Sequence, residues 1–390
     1  ILSSDTLDSL NAGDLTAALR RVPGVTVSRY NLVGAYGGSD GGGVFIRGHG
    51  SGRPGADIAT MIDGVPLAVG VWSHPLIDTL NLDLAQSVEV LKSPQPARLG
   101  NLGFGAINIV PLRFADAGSA AYGELEGSVG EYSTRLLRGR FALGTERTGF
   151  IGGASHRASD GHRENADGEV DAFWGNFSHD WNERWSSSLL YTFSDSWAND
   201  PEPVDLSLPI TEQYNTRHQF LLARADYAGE GMEFEVKAHL EDGEGRWLQW
   251  HQAPPPPFPS QPLTSTTDYQ NSGVKSLVRV DGPGGGAWRL GLDWDRFGGS
   301  LEEAFGGGLT RQFDTITFEI LAPHAGFEYR IDGAGGGEAW ILSGGLRHMA
   351  HSEFDNEWVG QAGLIWKHSR FQTYLQASRS ANYPEIGRAH

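Results

Sequence analysis

From Tyr122 onward the chain repeats one pattern: roughly ten residues alternating apolar and polar, then a turn. Met232, Phe234, Val236, Ala238 and Leu240 alternate with Glu233, Glu235, Lys237, His239 and Glu241. Trp288, Leu290, Leu292 and Trp294 alternate in the same way with Arg289, Gly291, Asp293 and Asp295, and Ala325, Phe327, Tyr329 and Ile331 with His324, Gly326, Glu328 and Arg330. Successive strand residues point to opposite faces, so each segment is a β-strand with one apolar and one charged face. A soluble sandwich and a membrane barrel both produce this alternation.

The connections separate the two. Short ones (Gly144 to Thr148, Asp180 to Arg184, Ala228 to Gly231, Asp281 to Gly286, Asp332 to Gly337, Lys367 to Arg370) alternate strictly with long ones. The long ones are Arg157 to Glu169, Asp195 to Asn215, Gly243 to Asp268, Gly298 to Phe313 and Ala350 to Glu357. Short turns on one rim and long loops on the other mark a transmembrane barrel. Trp181, Trp185, Trp197, Trp247, Trp250, Trp288, Trp340 and Trp358 collect at strand ends, as interfacial girdles require. A β-propeller would need a repeated motif every 40 to 50 residues or so, and none is present. The expectation is an all-β transmembrane antiparallel β-barrel. Phe234, Val236, Leu290 and Leu292 should face lipid, and Glu235, Lys237, Arg289 and Asp293 the lumen.

Composition narrows the function classes. No apolar run approaches the ~18 residues of a spanning helix. With no cysteine there is no disulfide, thiolate metal site or thiol nucleophile. A net charge of −18 argues against nucleic acid as a partner. No GxSxG, Walker loop or HExxH is present, so no enzyme is expected, and no cofactor. No signal peptide stands at the start, so a mature or trimmed chain is assumed.

The first part of the chain reads differently. Asp14 can cap a short helix whose apolar face is Leu15, Ala18 and Leu19, stopped by Pro23-Gly24. Four motifs follow in order: Ile46-Arg47-Gly48; Ile62-Asp63-Gly64-Val65-Pro66; Val88-Glu89-Val90 with Lys92-Ser93-Pro94; and Gly105-Ala106-Ile107-Asn108-Ile109. Together, and in this order, they resemble the plug domain of TonB-dependent outer-membrane receptors. Lys92-Ser93 departs from the Arg-Gly that the family more often shows.

The resemblance implies an N-terminal α+β plug in residues 1–114 and a barrel wall in 115–390. Counting gives about 13 strands of the 22 that plugged transporters close with, so about 180 residues are missing at 20 per strand. The last strands and the N-terminal TonB-binding box are therefore expected to lie beyond this sequence. By the same resemblance the protein sits in the bacterial outer membrane, contacts its lipid, and imports a scarce solute such as a ferric siderophore or another metal complex. The TonB complex of the inner membrane supplies the energy. A copper-, haem- or cobalamin-specific receptor, a non-transporting adhesin or enzyme of the outer membrane, and a soluble lectin-like module are the other readings.

Three sets of site residues follow. Plug loops that touch ligand in the family would here offer Tyr30, Tyr36, Arg53, Trp72 and His74, against the reading that these are ordinary Gly-rich turns. Arg47 would lock the plug to carboxylates on the wall, with Glu319 and Glu328 as inward candidates; otherwise it is a surface Arg of small energetic weight. His348 and His351, in the run His-Met-Ala-His, are metal candidates because imidazole suits copper, zinc and iron, or else solvated loop residues. The long loops are acidic, which favours cationic or neutral ligands.

Overall fold

A computed structural model of the chain describes residues 1–10, 12, 14–27, 44–48, 58–67, 80–100, 105–117, 120–201, 210–251, 262–333 and 338–383. The N-terminal part contains β1 (Leu2–Ser3), α1 (Ser4–Ser9), α2 (Leu15–Leu19), β2 (Val25–Val27), β3 (Val44–Ile46), β4 (Ile58–Ile62), β5 (Val65–Leu67), β6 (Ala85–Leu91), α3 (Pro96–Leu99) and β7 (Gly105–Pro111). Asp14 caps α2 as expected, accepting from the Ala17 N–H at 2.5 Å, and Leu15, Ala18 and Leu19 are buried. Five strands form one sheet in the order β1-β6-β7-β4-β5, with β4 parallel to β7 and the other pairs antiparallel. All five residues of β4 are buried, as a central strand covered on both faces must be. Gly105 permits the close approach of β7 to β6, since a Cβ there would stand 2.9 Å from the Leu91 carbonyl oxygen. Asp63 and Gly64 both adopt left-handed φ (49° and 76°), the geometry of a tight primed turn between β4 and β5.

Thirteen strands make the wall: β8 (Ala121–Val129), β9 (Arg135–Gly144), β10 (Thr148–Ser159), β11 (Gly168–Asp180), β12 (Trp185–Pro201), β13 (Ile210–Gly229) and β14 (Met232–His251). They continue as β15 (Thr264–Gly282), β16 (Gly286–Ala304), β17 (Thr310–Asp332), β18 (Glu338–His351), β19 (Glu357–His368) and β20 (Phe371–Arg379). Every strand pairs antiparallel with its sequence neighbours, so the wall is one meander of the expected strand number. Strands β8 and β20 each pair on one side only among the described residues.

Facing follows the alternation. Leu290 and Leu292 are 55% and 47% exposed on the outer face, whereas Lys237 and Asp293 on the inner face are 7% and 6% exposed. Aromatic pairs edge the outer band near the short turns: Trp185–Tyr227 at 5.0 Å, Trp288–Phe327 at 5.6 Å and Trp340–Trp366 at 5.9 Å. Among the described residues no helix is long and apolar enough to cross a membrane.

The expected long loops are shorter than the sequence suggested. Strand β17 runs 23 residues, and the stretch expected as a loop from Gly298 to Phe313 contracts to a turn around Gly306–Gly308. Ladder hydrogen bonds need no apolar face, so pairing continues beyond the apolar band where both faces meet water. Just past that band the outer face carries a row of charges in register, His156, Asp171, Asp195, Arg217, Glu244 and Asp268, on strands β10 to β15.

Candidate functional site

The plug is fastened to the inner wall by side chains of the wall. Arg224 on β13 donates through Nη1 to both carboxylate oxygens of Asp63 at 2.8 and 2.7 Å, and its other nitrogens reach Asp226 and Glu235. Lys237 on β14 donates to the Asp63 carbonyl oxygen at 2.6 Å and lies 3.0 Å from Glu235. The Asp63 turn therefore sits between two cations, where a carboxylate largely removed from water needs them.

A second anchor joins Asp83 to Arg157 at 2.8 Å and to Arg138 at 3.4 Å, with Arg138 also held by Glu126. The third is Arg347 on β18, buried, which bonds Asp293 at 2.8 Å and donates to the Ala97 and Arg98 carbonyl oxygens of α3 at 3.1 and 3.3 Å. A guanidinium suits the carbonyl end of a short helix, where oxygens have no partner within the helix. Asn176 adds a bond to the Leu112 carbonyl at 2.8 Å. Above these anchors the wall interior stays polar: Glu241 accepts from Asn271 at 2.7 Å and lies 3.0 Å from His218 Nε2.

This arrangement corrects the expected lock. Arg47 is exposed with φ 52° at the end of β3 and forms no ion pair with Glu319 or Glu328 among the described residues. Glu319 stands opposite Arg296 and faces outward, 3.9 Å from its guanidinium, while Glu328 has inward parity, opposite Ala287, and is exposed. The polarity is reversed: acids on the plug, cations on the wall. The signal was present in the sequence, because Arg224 and Lys237 occupy inward positions and inward cations require acids.

The two rim histidines do not form a metal pair. His348 and His351 differ by three positions, so strand alternation sends them to opposite faces of β18. His348 lies outward against Trp358, ring centres 4.6 Å apart. His351 points inward, 8% exposed, and its Nδ1 accepts from the backbone N–H groups of Glu353 and Phe354 at 3.1 and 3.3 Å. With that lone pair engaged, the ring proton of neutral His351 sits on Nε2, which then has no lone pair for a metal. Among the described residues one histidine–carboxylate group has metal-ligand spacing: His156, Glu169 and Asp171. It belongs to the outer face, away from the lumen. Tyr30, Tyr36, Arg53, Trp72 and His74 lie outside the described residues.

Comparison with known proteins agrees with this geometry. The TonB-dependent Receptor Plug Domain family matches residues 1–107. The ferric enterobactin receptor of Pseudomonas aeruginosa, in a mutant form, superposes with a TM-score of 0.72 at 15% identity, over 99% of this chain and 62% of that one. For the ferripyoverdine receptor of the same organism the TM-score is 0.73 at 11% identity, over 96% of this chain and 56% of that one. A copper transporter superposes at 0.71 with 14% identity, over 96% of this chain and 61% of that one. The chain thus spans about 62% of the length of the first of these structures. Among curated proteins none matches the sequence significantly. Residues 1–107 thus match the TonB-dependent receptor plug domain, and the chain, that plug fastened inside thirteen strands of wall, shares the fold of the receptors it superposes on.

Proposed function

We infer that this chain is the gated part of an outer-membrane importer that takes up a scarce metal complex, of the ferric siderophore class, using energy relayed by TonB. The observation that carries the reading is a folded plug held from inside by buried ion pairs, behind a wall whose outer face is apolar. Each such pair leaves an uncompensated charge if broken on one side, at about 3–5 kcal/mol. Two anchors of this kind, together with the hydrogen bonds from Arg347 to the α3 carbonyls, exceed thermal energy, so moving the plug requires outside work, which is the role of TonB. Outer-membrane lipid would meet the apolar band, with the long-loop rim on the outside.

Solute contact falls to the plug loops, with Tyr30, Tyr36, Arg53, Trp72 and His74 as ligand residues. The resemblance puts these loops on the outward side, and rings give large contact area at small entropic cost. The acidic rim favours a cationic or neutral complex over an anionic one. The test is growth of a strain lacking the full-length receptor on a panel of iron, copper and cobalamin sources. Loss of growth on one source names the solute; normal growth on all of them removes the importer reading.

A further inference from the structure

His351 closes the long-loop end of β18, three positions past His348 and its outward Trp358 partner, above the apolar band. It is a clasp rather than a ligand. The Glu353 and Phe354 amides of the loop between β18 and β19 both donate to its Nδ1, and its Nε2 is buried without a hydrogen-bond partner. The ring is enclosed by Tyr383 at 4.4 Å, Phe354 at 4.8 Å, Phe318 at 5.2 Å and Phe297 at 6.3 Å. Tyr383 fastens the same loop from the other side, its hydroxyl donating to the Asp355 and Met349 carbonyl oxygens at 2.9 and 3.2 Å.

We propose that His351 is an acid-sensitive clasp: protonation at Nδ1 releases the loop of residues 352–356 and, with it, Tyr383 from the mouth of the lumen. A proton on Nδ1 would point at two N–H groups and put a cation among four rings met at tilted angles of 46° to 74°. Both hydrogen bonds then fail together, because one atom accepts them both. The charged groups around the ring do not reverse this. Glu353 and Asp355 belong to the loop itself. Glu357 on β19 is engaged by Arg379 at 2.9 Å, Asp295 on β16 by Lys275 at 2.8 Å, and Glu319 on β17 faces outward toward Arg296. Burial holds the imidazole below the usual histidine value of 6.5, and Glu353 opposes that pull in part. The clasp stands on this geometry whether or not the protein imports a solute.

Hydrogen exchange of the purified protein in detergent tests it, reading the Glu353 and Phe354 amides after correction for the intrinsic pH dependence of exchange. Protection should fall at least tenfold between about pH 7.5 and about pH 5, while Leu346 and Gly360 in the β18–β19 ladder stay protected. In His351→Asn, whose side-chain oxygen accepts but does not titrate, protection should not change with pH. Glu353→Gln removes the carboxylate that favours the charged ring, so the midpoint should move to lower pH. Constant protection in the native protein, the same fall in His351→Asn, or a midpoint that stays or rises in Glu353→Gln overturns the proposal.

Discussion

Two charged networks of this wall look alike in sequence and differ in physics. The Asp63–Arg224–Lys237 network and the outer row from His156 to Asp268 both bring acids and bases within ion-pair distance. In the first, side-chain exposure is 12% for Asp63, 16% for Arg224 and 9% for Lys237. In the second, the Arg217–Asp195 pair, at 2.7 Å, keeps 65% and 45% of its side-chain surface in water. Bond length is the same in both; solvent is not. Water and salt screen the outer pair almost completely, whereas the inner charges depend on one another.

That difference ranks the expected effects. Asp63→Ala should be the most damaging change, about 2–4 kcal/mol, because it removes the carboxylate that Arg224 holds through Nη1 and that lies 3.6 Å from Lys237, while Asp226 and Glu235 remain beside the cations. Denaturant unfolding of the plug followed by limited proteolysis would read it, and a loss as small as that of an outer pair would erase the contrast. Leu292→Arg should cost about 2–4 kcal/mol if the outer band meets lipid near its midplane, measured by refolding into bilayers. An unchanged refolding equilibrium would mean that the outer face is not a lipid face.

Smaller is the effect of Asp14, whose carboxyl is pushed up to about 6 by burial, against the cap bond from Ala17 and the charge of Arg157. Folded Asp14 holds its proton more tightly than the unfolded residue. Its contribution to stability is therefore greatest below pH 3.8, falls as pH rises toward about 6, and is level above that. Asp14→Asn keeps a capping oxygen without the buried charge and should gain about 1–2 kcal/mol at neutral pH, after allowance for solvent screening. The check is a pair of stability–pH profiles, in which the native protein loses stability relative to the variant as pH rises from about 4 to about 6. Last comes Arg217→Ala on the outer row, which should leave the melting curve where it was; a clear shift would show that the outer row is a structural network after all.

Much of this was legible in the chain. Period two in residues 232–240 and 288–295 gave strand, face and lumen side, because a strand's geometry ties alternate residues to one surface wherever the strand lies. The Asp14 cap and the Asp63-Gly64 turn were legible for the same reason: each depends on chain neighbours alone. Partner choice was not. Glu319 was read inward and lies outward: it shares the odd parity of Ala325, Phe327 and Tyr329, and β16 and β17 keep one register from Gly286–Tyr329 through Arg296–Glu319 to Gly299–Ile316. His348 and His351 were grouped by proximity in sequence, although strand alternation separates them.

What the sequence determined by itself is the architecture: a Gly-punctuated plug followed by thirteen amphipathic strands whose order in space is their order in the chain. Antiparallel meanders pair neighbours, so local pattern suffices to build them. Only the tertiary structure decided which charges meet, since Asp63 and Arg224 are 161 positions apart and Ala97 and Arg347 are 250. Such pairs exist because the plug is enclosed by the wall, and enclosure removes water from some charges and leaves it on others.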